Sequence, residues 1–215
     1  MSPRRQPGKK GKRAKKTPLP SSYLIATEGQ QTEVNYFKGF EDDINIRYSG
    51  SVESFTIHIR GLGKETLRVI EDIEDYKRTS PIIYEHVWAV FDKDDFPDDH
   101  FDNAINKAES MGIHVAWSNE SFELWYCLHF ALQQSALPRS QYNSIVDTHL
   151  KNIGQPGYSK TDPDMYDKLK PYMSSAIKNA EILDSRYEPS DNYSSRNPCT
   201  HIYKLVAELK EILDR

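Results

Sequence analysis

Val87-Trp88-Ala89-Val90-Phe91-Asp92-Lys93-Asp94-Asp95 places five apolar residues, rich in β-branched and aromatic types, directly ahead of a run of carboxylates. Such a run reads as a strand buried on both faces, and a buried strand that ends in charge must emerge at a surface. In an open α/β sheet the carboxyl edge is where ligands bind. Asp92 and Asp94 stand two apart, so extended backbone directs both to one side, with Cα atoms about 7 Å apart. Two acids converging on one spot repel unless a cation separates them, and hard divalent cations prefer oxygen ligands. A solvated Asp-rich turn accounts for the same residues, so the other strand ends must decide.

Upstream, Ser22-Tyr23-Leu24-Ile25-Ala26-Thr27 is a short apolar strand that stops at Glu28-Gly29. Thr32 is placed to cap the helix that follows, whose Val34, Phe37, Phe40 and Ile44 keep helical spacing. Ser54 to Ile59 predicts a second strand, followed by a helix from about Lys64 to Tyr76. Downstream, a helix over 101–110 ends at Gly112, a C-cap glycine, and Ile113-His114-Val115-Ala116-Trp117 is a fourth strand ending at Ser118-Asn119. Alternating strands and helices predict a parallel sheet of about four strands with helices on both faces. Its carboxyl edge then collects Glu28, Asp92, Asp94 and Ser118-Asn119, a coincidence that favours a site over a solvated turn.

After residue 120 the pattern becomes helical. Phe122, Trp125, Tyr126, His129 and Phe130 form an aromatic stripe that reads as core packing. Asp162-Pro163 and Asn197-Pro198 resemble helix starts with proline at the first position, the last helix covers about 199–214, and 135–160 and 186–196 read as polar loops. The expected organisation is a disordered basic arm over 1–20, an α/β core over 21–130 and a helical C-terminal extension over 131–215 packed on it.

Charge is divided along the chain. Arg4, Arg5, Lys9, Lys10, Lys12, Arg13, Lys15 and Lys16 lie in the first 22 residues without an acid, leaving 20 basic against 32 acidic residues elsewhere. An arm of this composition cannot bury a core; it either contacts nucleic-acid phosphates or is a tail, solubilising or folded back on the acidic body. Mean hydropathy is −0.73, and no apolar run approaches the ~20 residues of a membrane span. The arm lacks the apolar core of a secretory signal. Cys127 and Cys199 have no metal-ligand spacing, which fits a reduced, cytoplasmic setting and buried, unreactive thiols.

Other motifs fail on inspection. Gly61-Leu62-Gly63-Lys64-Glu65-Thr66 suggests a phosphate loop, but His58 replaces the first glycine of the Walker pattern and Glu65 the hydroxyl residue after lysine. The acidic run 92–102 lacks the EF-hand turn glycine, with Pro97 in its place. His58, His86, His114 and His149 have no partner spacing. Glu123 opens a helix, where the dipole stabilises a carboxylate whatever its role, yet it follows a strand end closely enough to reach the acidic cluster.

The chain resembles the RloB family at several places. Glu28-Gly29-Gln30-Gln31-Thr32-Glu33-Val34-Asn35-Tyr36-Phe37 is similar to that family's EGxxTExxYF opening, and Phe91 to Phe96 to its acidic strand end. Ser118-Asn119-Glu120-Ser121-Phe122-Glu123-Leu124-Trp125, with His129-Phe130, is similar to its SNPxFExW…HF segment, Glu120 standing where proline is usual. Tyr158-Ser159-Lys160 and Asn197-Pro198-Cys199-Thr200 look like later landmarks. The resemblance implies a TOPRIM-like fold and Mg²⁺- or Mn²⁺-dependent phosphodiester chemistry on DNA or RNA, tRNA included. It also implies prokaryotic defence against phage, with partner defence proteins. Carried onto this chain, Glu28, Asp92 and Asp94 hold the metal with Asn119 as a further ligand, and Glu123 and Lys160 join them in catalysis, Lys160 only if its loop folds over the strand ends. The rival expectation is a non-catalytic nucleic-acid-binding or regulatory protein on the same scaffold.

Overall fold

Alternation of side chains along the strands sorts the core into two layers. We describe the protein from a computed structural model that defines residues 19–51, 53–63, 66–94 and 97–215. The basic arm expected over 1–20 thus falls, up to residue 18, outside the described residues, as do Lys64 and Glu65 of the phosphate-loop-like motif and Asp95 and Phe96.

Strands β1 (Leu19–Thr27), β2 (Thr56–Gly61), β3 (Tyr84–Asp92) and β4 (His114–Asn119) alternate with helices α1 (Thr32–Arg47), α2 (Thr66–Thr79) and α3 (Asp98–Ser110). All four strands are parallel, in the order β2-β1-β3-β4. Thr27 pairs with Val90, and Asp92 with Ser118. A fifth strand, β5 (Cys199–Thr200), joins β4 antiparallel and makes the sheet mixed. The α/β class expected from the sequence is observed, and the arrangement is compatible with a TOPRIM-like sheet.

On one face Leu24, Ala26, Ala89, Phe91, Val115 and Trp117 pack on α2 and α3 through Val69, Ile70, Ile73, Phe101, Ala104 and Ile105. On the other, Tyr23, Ile25, Trp88, Val90 and Ala116 pack on α1 and on the C-terminal helices. Those are α4 (Glu123–Leu128), α5 (Arg139–Asn152), α6 (Met165–Leu169), α7 (Met173–Asp184) and α8 (Ile202–Asp214). The aromatic stripe is core: Phe122, Trp125, Tyr126 and His129 are buried and Phe130 is half-buried against them, full burial of a ring such as Phe122 contributing about 1.5–3 kcal/mol. Cys127 and Cys199 are buried free thiols, and burial pushes the Cys127 thiol up to about 12. Among the described residues no helix is long and apolar enough to cross a membrane.

Several local expectations are corrected. Thr32 does not cap α1; its hydroxyl donates to the Lys160 carbonyl (3.1 Å). Asp162-Pro163 precedes α6 by a turn in which Asp162 accepts from the Asp164 N–H (3.0 Å) and Lys168 (2.6 Å). Asn197-Pro198 leads into β5, and α8 begins only at Ile202. Within the supposed loop 135–160 lies the 14-residue α5, which buries the narrow stripe Tyr142, Val146 and Leu150.

Candidate functional site

Parity along each strand decides which side chains reach the carboxyl edge on the α1 side. Asp92 continues the series Trp88, Val90 and therefore faces α1 and α4. Asn119 continues Val115, Trp117, the series that faces α2 and α3. Asn119 accordingly does not line the cleft, and its side-chain amide donates to the Ser194 carbonyl (2.8 Å). Its expected role as a metal ligand is not supported; it braces the loop before β5.

The other five expected residues come together. Glu28, Asp92, Asp94, Glu123 and Lys160 line one cleft of about 430 Å³, with Glu33 and Arg139 beside them. Glu28 follows β1 directly, its N–H donating to the Val90 carbonyl (2.8 Å), and its Oε2 accepts from the Asp92 N–H at 3.4 Å. Asp94 does not arrive on extended backbone as expected. β3 ends at Asp92, and Asp94 sits in the left-handed region (φ 44°) with its N–H donating to the Glu120 carbonyl (3.1 Å). Aspartate is among the few non-glycine residues that adopt this conformation readily, so a turn returns Asp94 to the cleft. Glu120, in the place of the usual proline, is half-buried and does not line the cleft.

Glu33 escaped the sequence reading of the site. It lies in the first turn of α1, buried, and a Cβ on Gly29 would collide with its carboxylate. Glycine at 29 is what lets that carboxylate fold back beneath the β1 turn. Glu123 opens α4, also buried; its Oε1 accepts from the Tyr158 hydroxyl (2.8 Å) and lies 3.6 Å from Lys160 Nζ. The 153–164 loop does fold over the strand ends. Thr32 holds the Lys160 carbonyl, Asn35 the Thr161 carbonyl (3.4 Å), and Asp147 the Tyr158 N–H (2.9 Å).

Arg139, the first residue of α5, was likewise missed, because its helix read as a loop. Its Nη2 contacts Asp94 Oδ1 and lies 3.7 Å from Asp92 Oδ2. A basic residue at a helix N-terminus opposes the macrodipole, a signal that is invisible while the segment reads as a loop.

Among the described residues of the lining, carboxylates outnumber cations, five (Glu28, Glu33, Asp92, Asp94, Glu123) to two (Arg139, Lys160). Burial, then the charges of Glu33 and Glu123, push the Asp92 carboxyl well above its usual range, against the Phe122 N–H (3.0 Å) and Arg139. Burial likewise raises Glu33, aided by Glu123 and opposed by its own backbone N–H, Lys160 and Arg139. Asp92 Oδ1 is buried without a hydrogen-bond partner. An all-oxygen donor set with one orphaned carboxylate oxygen fits a hard divalent cation. The ligand atoms are not gathered as tightly as around a bound ion. Among the described residues, the group of three whose donor atoms all lie within 4.8 Å is Asp184, Cys199 and His201, which lies away from this cleft.

The fold and cleft define an α/β protein with an acidic site at the carboxyl edge of its sheet. The chain belongs to the RloB-like protein family, whose model matches residues 23–209. No curated protein and no solved structure matches it.

Proposed function

We propose that the protein is a divalent-cation-dependent nuclease that hydrolyses phosphodiester bonds in DNA or RNA, in keeping with the defence role its family resemblance implies. The observation that carries this reading is Asp92 Oδ1, buried without a hydrogen-bond partner in a cleft where, among the described residues, carboxylates outnumber cations. Asp92 and Asp94 would hold Mg²⁺ or Mn²⁺, with Glu28 as a further ligand or general base. Glu33 and Glu123 lie close enough to influence Asp92 electrostatically. A bound divalent cation supplies a water of lowered pKa and neutralises charge building on the phosphate.

The chain's own groups have separable tasks. Tyr158 orients Glu123 through its 2.8 Å hydrogen bond. Lys160, half-exposed above Glu123, is placed to meet a phosphate oxygen, and the cationic arm supplies attraction at short range that the acidic body lacks.

A second reading, a nucleic-acid-binding protein without catalysis, is favoured by one observation: Arg139 already pairs with both Asp92 and Asp94. Incubating purified protein with DNA, mRNA and tRNA, with Mg²⁺ or Mn²⁺ and an EDTA control, separates the two. Metal-dependent cleavage is the expected result; binding without cleavage under every condition would leave the second reading.

A further inference from the structure

Arg139 occupies a position that its own helix does not favour. It opens α5 immediately after Pro138, and α5 has no side-chain cap, so its guanidinium stands at the positive end of a four-turn dipole. What holds it there is the Asp92–Asp94 pair, both carboxylates meeting the same Nη2. The pairing is incomplete on both sides. Arg139 Nε is buried without an acceptor, and Asp92 Oδ1 is buried without a donor. A purely structural ion pair is expected to satisfy these atoms, since a buried donor or acceptor left unpaired loses its hydration without replacement. The planar guanidinium fork matches two phosphate oxygens, and a carboxylate pair stripped of its arginine is a cation site.

We propose that Arg139 is a displaceable counter-cation of the cleft, which yields Asp92 and Asp94 to a divalent cation and passes its guanidinium to the phosphate of the nucleic acid. The proposal rests on the cation-dependent reading of the cleft given above. It assigns Arg139 two linked roles, competitor of the metal and contact for the phosphate. Lys160 is a poorer candidate for the first of these, because it pairs with Glu123 and touches neither aspartate. Because coupling between two ligands of one site is reciprocal, removing the internal cation must strengthen binding of the external one.

The test is calorimetric titration of Mn²⁺ into the full-length protein, comparing wild type with Arg139→Gln and Arg139→Lys. Adenosine 5′-monophosphate is then titrated at saturating Mn²⁺. Arg139→Gln should bind Mn²⁺ roughly fivefold or more tightly and the monophosphate more weakly, with Arg139→Lys between wild type and Arg139→Gln. A merely structural arginine would give the opposite sign for the metal, since its removal would loosen the site. Equal or weaker Mn²⁺ affinity in an Arg139→Gln protein with a wild-type circular dichroism spectrum overturns the proposal and leaves the cation site standing. Tighter Mn²⁺ with unchanged monophosphate affinity overturns the phosphate role. Absence of Mn²⁺ binding in both proteins overturns the proposal and the cation-dependent reading together.

Discussion

Two carboxylates in different parts of the molecule, Asp184 and Asp92, share low exposure and differ in everything that surrounds them. Asp184 accepts from His201 Nε2 (2.9 Å) and Tyr203 Oη (2.8 Å), and Lys204 and Arg196 stand at 3.6 and 3.9 Å. Burial would raise its carboxyl, yet the hydrogen bonds from His201 and Tyr203 and the charge of Lys204 carry it far below the usual range. Asp92 has the backbone N–H of Phe122 and one cation, Arg139 at 3.7 Å, with Glu33 and Glu123 facing it, and is pushed upward. Asp184, with Cys199 and His201, presents the tighter ligand geometry. On the cation-dependent function proposed here it is nevertheless the poorer metal site, because it has hydrogen bonds from His201 and Tyr203 and two cations of the chain beside it. Compactness of ligand atoms and need for a cation are different properties, and it is the second that marks a functional carboxylate.

The largest expected difference between the two regions is in turnover. Glu28→Gln and Asp94→Asn preserve shape and remove charge; each should cut single-turnover cleavage about 10²-fold or more, and the double variant should be little worse than either. Asp184→Asn should cleave like wild type below its melting temperature. Normal turnover in folded Asp94→Asn would break the comparison at its root.

Stability should respond in the reverse order. Asp184→Ala strands His201, Tyr203 and two cations and should cost about 2–3 kcal/mol, a fall of about 5–10 °C in Tm. Asp92→Asn, without added metal, should instead raise Tm by about 2–4 °C at neutral pH, as for a gain near 1 kcal/mol. Their pH profiles should diverge too. The folded pKa of Asp92 is raised, so as pH rises from about 4 the folded chain keeps a proton that the unfolded chain has released, and stability falls. The advantage of Asp92→Asn over wild type should therefore widen with pH. For Asp184 the folded pKa is depressed, so the advantage of wild type over Asp184→Ala is full above about 4 and shrinks on acidification. Thermal melts of the three proteins across pH check both signs.

Much of the fold and of the cleft is legible in the sequence, for reasons that differ by residue. β3 and its acidic end stand out because a strand buried on both faces is a continuous apolar run, and Glu28 follows from the same logic in β1. Asn119 is grouped with the cleft only when a strand end is treated as a point; counting parity from Trp117 turns it to the α2–α3 face. Arg139 is hidden because α5 buries only one residue per turn, Tyr142, Val146 and Leu150, and the rest is polar enough to read as loop. Glu33 is hidden because a glutamate in the first turn of a helix is ordinary; only the absent Cβ of Gly29 distinguishes it. The two-residue β5 is too short to show any period.

The smallest expected effect concerns the arm. Deleting residues 1–16 should leave both carboxylate regions intact by circular dichroism and weaken nucleic-acid binding chiefly at low salt. The log–log salt slope should fall by about 0.9 for each duplex phosphate that the arm no longer neutralises. Unchanged affinity and slope would make the arm a tail.

The central claim is that unmet charge, and not ligand proximity, identifies the cation site. Mn²⁺ binding, measured by calorimetry on wild type, Asp92→Asn and Asp184→Asn, tests it most directly. Wild type and Asp184→Asn should bind with the same affinity, and Asp92→Asn should lose binding; retained affinity in Asp92→Asn together with loss in Asp184→Asn would contradict the account.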